Sequence, residues 1–334
     1  MRRLSHVRRI GPVIDIPIPA ELARTQIKYN GAEGRAFIDA LPQRAADFLS
    51  RWDLKLSGPS MYGMASLVLP VERADGTRAA LKMQLLDEES EGEPVGLRVW
   101  NGNGVVRLLE HDEDTNTLLL ERLDENRHLS TLEDTHEATR ILAGLLARLV
   151  AVPAPAGMRR LADIAQGMLD DVPEAVRSPL VDSASRQTLL SCASAVRDVI
   201  GEPGDRLLHW DLHFDNILAA EREPWLAIDP KPLAGDPGFD LMPALFNELT
   251  DGFDAKEVLY RFDLLTEVVG LDRQRAAAWT MGRALQNLLW NIEDADDEDG
   301  AAGADGADGT DDEEDGLDAD QLAIAELVRD HRLA

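Results

Sequence analysis

The stretch His209-Trp210-Asp211-Leu212-His213-Phe214-Asp215-Asn216, followed by Ile228-Asp229, decides the reading of this 334-residue chain. Phosphoryl transfer from a nucleoside triphosphate needs a carboxylate beside the attacking hydroxyl and oxygen ligands that hold Mg2+ on the phosphates. Asp211 supplies the carboxylate, Asn216 stands five positions later, and Asp229 ends the next apolar run. The order H-x-D-x-x-x-x-N with a later Asp is complete. Short apolar runs at 216–220 and 224–228 read as a hairpin beside the loop. A chance gathering of polar residues rarely keeps four positions in this register.

Such a loop requires an upstream lysine on a strand, and Ala79-Ala80-Leu81-Lys82 supplies one. Lys82 is the only lysine on a strand predicted for the first lobe. Its acidic partner is expected on the following helix, where Glu88, Glu89, Glu91 and Glu93 compete. Glu89 is preferred and Glu93 comes next, because Pro94 is tolerated only in a first helical turn and leaves the register open. By order along the chain, Leu119 to Leu123 is the segment whose backbone binds adenine, with Glu121 and Leu123 as the contacts. The loop covering the phosphates is expected at Ser57 to Gly63. No Walker A sequence is present, and Gly102 with Gly104 is a lone pair of loop glycines. Asp112, Asp114 and Asn116 imitate a calcium loop, but Thr117 stands at its sixth position and Leu123 at its twelfth, so they read as turn residues.

The elements around these residues fall into two groups. Residues 32–52 have helical spacing, and strands are expected at 64–71, 78–83, 105–109 and 117–121, with a hairpin at Asp75-Gly76 and a helix between Glu88 and Trp100. From Thr131 the pattern is helical: 131–152, 159–170, 184–200, 238–249, 255–269 and 273–292. The fold class is therefore α+β and bilobal, with a sheet-rich lobe at 20–123 and a helical lobe at 124–292 that carries the catalytic loop. Residues 293–320 hold 15 acidic residues and no Lys or Arg, and are expected to be disordered. A helix at 321–334, with Leu322, Ile324, Leu327 and Val328 at helical spacing, is expected to dock on the helical lobe.

The formal net charge is −28, and removing the 15 charges of the acidic segment takes it to −13. Such a field repels nucleic acid and anionic membranes and attracts cations. No apolar run reaches the ~20 residues needed to cross a bilayer. Arg2, Arg3, Arg8 and Arg9 imitate a secretion signal, but Pro12, Asp15, Pro17 and Pro19 break its apolar core. The single cysteine, Cys192, excludes an intramolecular disulfide, and a reducing cytoplasm is the expected compartment.

The sequence resembles the aminoglycoside 6-phosphotransferase (streptomycin 6-kinase) and hydroxyurea phosphotransferase family. The residues that carry this are 208–216, 221–230, 235–241, Gly96-Leu97-Arg98-Val99-Trp100, 118–123 and Leu285-Gln286-Asn287-Leu288-Leu289-Trp290. The likeness runs from about Ala20 to Asp294 and again through the last helix. It implies the aminoglycoside-phosphotransferase version of the protein-kinase-like fold, with ATP and Mg2+ as cofactors. On matching positions, Asp211 is the implied base, Asn216 and Asp229 the Mg2+ ligands, and Lys82 the ligand of the α- and β-phosphates. Asp240 is implied to brace the loop, and His209 is a further supporting residue. The acidic segment departs from the family pattern, in which this linker is short. The implied substrate is a small cationic aminoglycoside, streptomycin above others, phosphorylated at the streptidine 6-hydroxyl. Asp215, Asp236 and Glu248 are candidate carboxylates for its guanidinium groups, with Trp290 as a stacking surface. Two rival readings are a kinase for hydroxyurea or a similar small compound and a non-catalytic kinase-like binding protein. The intact Lys82, Asp211, Asn216 and Asp229 argue against the second.

Overall fold

The computed structural model describes residues 16–247, 253–302 and 316–333. They form two compact units: one runs to Glu91 and adds Leu108–Arg122, the other comprises Gly92–Arg107 and the chain from Leu123 onward. The lobe change expected after Leu123 thus falls one residue earlier, at Arg122. The segment from Gly92 to Arg107, which the sequence reading places in the first lobe, groups with the second.

The first unit holds helix α1 (Ala20–Arg51) and strands β1 (Leu54–Leu56), β2 (Met61–Tyr62), β3 (Ser66–Arg73), β4 (Arg78–Gln84), β5 (Leu108–Asp112) and β6 (Thr117–Glu121). The sheet is antiparallel in the order β1-β3-β4-β6-β5, with β2 on β3. α1 starts earlier than its apolar spacing predicts and breaks at Gly31, whose φ of 50° costs glycine little. Its later turns lay Phe37, Leu41, Ala45, Phe48 and Leu49 on the sheet residues Leu67, Leu69, Leu81, Met83 and Leu119. The hairpin forms at Asp75-Gly76, where Gly76 has φ 85° and the Asp75 carboxylate accepts from Thr77 N–H at 2.9 Å.

β5 begins three residues later than expected. Val105 and Val106 are apolar because they are buried elsewhere: Val106 N–H donates to Ala227 O at 2.8 Å and Ala227 N–H donates to Gly104 O at 3.0 Å, inside the second unit. That unit contains α2 (Glu93–Trp100), β7 (Asp124–His128), α3 (Thr135–Leu149), α4 (Leu161–Ala175), α5 (Ser183–Val199) and β8 (Arg206–Leu208). After the catalytic loop come β9 (Ile217–Ala219), β10 (Trp225–Ala227), β11 (Leu233–Gly235), α6 (Met242–Phe246), α7 (Ala255–Val269), α8 (Arg273–Ala302) and α9 (Ala319–Leu333). β9 and β10 pair as the expected hairpin, and β8 pairs with β11. Asp134, Asp182 and Asp254 cap α3, α5 and α7 by accepting a backbone N–H of each first turn.

The helix expected at 238–249 is divided: a 3₁₀ turn at Pro237–Asp240 precedes α6, and residues 248–252 lie outside the described residues. α8 continues to Ala302, so helix covers the first ten residues of the acidic segment expected to be disordered. Residues 303–315 lie outside the described residues. α9 buries Ile324, Ala325 and Val328, and Thr188 donates to Glu326 at 2.7 Å across the α5–α9 contact. Cys192 is buried in α5, and burial pushes its thiol up to about 12, which makes it an inert core residue. Among the described residues, no helix is long and apolar enough to cross a membrane.

The grouping of α2 with the second unit has a visible cause. Pro232 seats on the glycine face of α2, and a Cβ on Gly96 would lie 2.5 Å from Pro232 Cγ and 3.0 Å from the Trp100 ring. Gly96→Ala gains at most about 1 kcal/mol in helix propensity. It forces an overpacked contact that costs ~1–3 kcal/mol. The variant is therefore expected to unfold at lower urea concentration than wild type. An unchanged midpoint would show that Pro232 does not set this helix position.

Candidate active site

The catalytic loop runs from β8 to β9 and has almost no regular structure of its own, so its shape depends on side chains. The Asp240 carboxylate, fully buried, accepts the backbone N–H of His209 at 2.9 Å and of Trp210 at 2.6 Å. These two bonds hold Trp210 at φ 70°, a left-handed conformation that a bulky residue takes only under constraint. The indole is fixed as well: Arg159 lies 4.4 Å from its centroid, and the Trp290 ring stacks on it at 6.4 Å.

His209 is buried, and burial pushes its imidazole down to about 4, so the ring is neutral. Its Nε2–H donates to Ile228 O at 3.0 Å, and its Nδ1 accepts from Asp211 N–H at 3.3 Å. Only one neutral tautomer satisfies both contacts. His209 therefore ties the loop to the end of β10 and aims the backbone of Asp211.

Asp211 is the partly exposed carboxylate at the turn of the loop. Asn216 Nδ2 donates to Asp211 O at 2.8 Å, which leaves the Asn216 amide oxygen as the donor atom it can offer a cation. Ile228 N–H donates to Asn216 O at 2.9 Å, so the hairpin brings Asp229, one residue on and at φ 56°, to the same edge as Asn216. Burial pushes the Asp211 carboxyl up, but Lys231, His213, Arg283 and His209 together outweigh it and hold the group below its ordinary value. Asp211 is thus an anion positioned by its own loop.

In the first unit Lys82 lies on β4 between Val68 and Leu118 and is 4% exposed. Lys55 also proves to be on a strand, β1, but exposed, so burial rather than strand position singles out Lys82. Glu89 is not on a helix. It sits in a turn in which Asp87 Oδ1 accepts the N–H of Glu89 and Ser90, at 3.0 and 2.7 Å. α2 begins only at Glu93, because Pro94 fits the first turn, and Glu93 is the buried glutamate of the four candidates. Glu121 ends β6 opposite Ala79, and Leu123 is buried at the start of the second unit.

A cavity of about 360 Å³ opens beside Asp211. Of the candidate acceptor contacts, Asp215 lines it, held by Ser130 Oγ at 2.5 Å. Asp236 does not: it caps the turn at Gly238 and pairs with Arg275 at 3.0 Å, beside a different cavity. Trp290 is spent on Trp210 and is not part of the wall, and Glu248 lies outside the described residues. The polar wall instead includes Asn247, Asn287 and Gln321, three amides that sequence spacing does not connect.

The chain matches the aminoglycoside/hydroxyurea antibiotic resistance kinase family over residues 51–295. It belongs to that family. A hydroxyurea phosphotransferase of Kitasatospora aureofaciens is 61% identical over 292 residues, 87% of this chain and 84% of the relative. A streptomycin 6-kinase of Streptomyces glaucescens is 59% identical over 283 residues, 84% of this chain and 92% of the relative. Among solved structures, a choline/ethanolamine kinase family protein from Mesorhizobium loti shares the fold, with a TM-score of 0.57 at 14% identity, over 88% of this chain and 93% of its own. The α+β class read from the order of the elements, and the protein-kinase-like fold that the resemblance implies, are therefore the fold of the chain.

Asp240 gives this family member a pH-dependent brace. Burial pushes its carboxyl up to about 7, against the two N–H donors that favour the anion. The unfolded chain releases the same proton near pH ~3.9. Between those values the folded state holds a proton that the unfolded state has lost, so this contribution to stability is full below ~3.9 and lost as pH rises through about 7. Urea midpoints of the wild type are expected to fall from about pH 5 to about pH 8 more steeply than those of Asp240→Asn. The variant is also less stable by ~1–3 kcal/mol, since an amide cannot accept from both N–H groups. Equal slopes would assign the pH dependence to other groups.

Proposed function

We propose that the protein is an ATP-dependent phosphotransferase that phosphorylates streptomycin at the streptidine 6-hydroxyl and so inactivates it. The observation that carries this is an ionised Asp211, fixed by Asp240 and His209, on the edge of a cavity large enough for a drug-sized acceptor. Family membership supplies the phosphoryl donor chemistry. In this reading Asp211 orients the acceptor hydroxyl and takes its proton. Asn216 and Asp229 offer hard oxygen atoms, a donor set that suits Mg2+, which keeps the rest of its shell for water and phosphates. The metal supplies charge neutralisation on the transferring group when bound. Lys82 is assigned to the α- and β-phosphates. The backbone from Glu121 to Leu123 is assigned to adenine. Such chemistry belongs in a cytoplasm that supplies ATP.

The acceptor side rests on charge and shape. Streptomycin offers planar guanidinium forks, and the Asp215 carboxylate with the unpartnered Gln321 amide oxygen on the cavity wall offers acceptors for them. Hydroxyurea is the second reading, favoured by the 61% identity to a hydroxyurea phosphotransferase, although it would fill only a small part of the cavity.

Purified protein with ATP and Mg2+ is expected to add one phosphate to streptomycin by mass spectrometry. Kanamycin, whose amines cannot reproduce the bidentate contacts, should be used at least ~100-fold less efficiently. Asp211→Ala should lower turnover by ~10²–10⁴-fold with the fold intact. Phosphorylation of hydroxyurea with streptomycin untouched would move the acceptor assignment to the second reading. Near-normal turnover by Asp211→Ala would remove that residue from the chemistry.

A further inference from the structure

Two residues beyond Asp229 the chain reads Pro230-Lys231-Pro232 and enters β11. Lys231 N–H donates to His209 O at 3.0 Å, and its Nζ lies 3.6 Å from Asp211 Oδ2. Both flanking prolines are buried, and Pro232 is seated against Gly92 and Gly96 of α2. The ammonium is therefore delivered to the catalytic carboxylate by a backbone with little freedom.

Two features make a merely structural ion pair a poor account of this arrangement. The Lys231 side chain is 41% exposed, and a pair so open to water contributes at most about 1 kcal/mol. Lysine is also scarce: of 334 residues only Lys28, Lys55, Lys82, Lys231 and Lys256 are lysines, in a chain of formal charge −28. A cation held at the one carboxylate that must meet both acceptor and phosphate has a more direct use. A flexible ammonium suits a phosphoryl oxygen, because it reaches a moving charge without demanding the fixed fork of a guanidinium.

We propose that Lys231 is a catalytic residue that bridges Asp211 and the γ-phosphoryl group of the bound nucleotide. This rests on the reading of Asp211 as the base. In the transfer, the acceptor oxygen forms a bond to the γ-phosphorus, the bond to the β,γ-bridging oxygen breaks, and the hydroxyl proton passes to Asp211. Lys231 keeps its proton throughout, holds the phosphoryl group in line with the acceptor and stabilises the charge on its oxygens. It differs from Lys82 in acting on the group that leaves the nucleotide.

The test uses the full-length protein with Lys231→Met and Lys231→Arg. With the acceptor that the wild type phosphorylates, Lys231→Met is expected to lose ~10²-fold or more in kcat, with acceptor KM little changed. Lys231→Arg should recover part of that loss. Calorimetry in Mg2+ supplies a readout free of turnover: Lys231→Met should weaken ATP while leaving ADP, which lacks the γ-phosphoryl group, unaffected. An unchanged kcat with an unchanged ATP-to-ADP affinity ratio overturns the proposal. So does an equal loss for both nucleotides with a lowered melting temperature, the mark of a structural role. A wild type that phosphorylates no acceptor overturns the function proposed above, and the ATP-to-ADP comparison then decides the contact of Lys231 by itself.

Discussion

One buried carboxylate organises the catalytic machinery. The loop from His209 to Asn216 has no sheet or helix to satisfy its first amides, and unpaired buried N–H groups cost ~1–3 kcal/mol each. Asp240 accepts two of them at once. That double contact lets Trp210 stay left-handed, and the reversal at Trp210 turns Asp211 out of the core toward its cavity. The neutral His209 completes the brace by bonding to the far strand, so the hairpin that carries Asp229 and the loop that carries Asp211 move as one piece. The rigidity needed for chemistry comes from a few hydrogen bonds, not from regular structure.

The electrostatics of the site oppose those of the whole chain. The formal charge of −28 predicts an acidic surface, yet Asp211 faces Lys231, His213 and Arg283, which hold its carboxyl below its ordinary value against the effect of burial. The buried Lys82 and the half-exposed Lys231 lie on the segments to which the proposed function assigns phosphate binding and catalysis. Lysine is scarce, five of the 34 Lys and Arg residues, and two of the five stand at these segments. Net charge therefore informs on solubility and long-range attraction, and says little about the local field in which the reaction occurs.

Much of this was legible in the sequence, for reasons that differ by residue. The loop could be read because phosphoryl chemistry fixes its spacing, and the helices over 255–269 and 184–200 because one apolar face repeats. Strand limits were less legible. Val105 and Val106 look like a strand because burial by any partner selects the same residues, and the partner proved to be Ala227. Glu89 looked like a helical residue because nothing local shows that Asp87 and Ser90 close a turn ahead of it. Lys231 carries a sequence signal of its own, a lysine between two prolines just after Asp229. Nothing local marks Asn247, Asn287 or Gln321, because only tertiary packing brings α6, α8 and α9 to one cavity. Asp236 and Trp290 show the converse error, polar and aromatic residues whose chemistry suited the acceptor but whose side chains brace the fold.

The division between chemistry and acceptor recognition has a structural basis. Asp211, Asn216, Asp229 and Lys231 lie within one stretch of the chain, joined by Asn216 Nδ2 donating to Asp211 O, Ile228 N–H donating to Asn216 O and the Lys231–Asp211 ion pair. The cavity beside Asp211 is lined by Asp215, α6, α8 and α9, and it is joined to the loop where Asn247 Oδ1 accepts Phe214 N–H at 3.0 Å. Asn287 Oδ1 accepts from Arg283 Nε at 3.1 Å, and Arg283 lies over the Trp210 ring, so a substitution there reaches the loop; Gln321 bonds instead to Asp318 at the start of α9. Two relatives about equally similar to this chain carry different acceptors in their names, hydroxyurea and streptomycin. That is the pattern expected when the loop is braced by its own hydrogen bonds and the cavity beside it is built from several helices, for the wall can change its shape while the braced loop keeps its own.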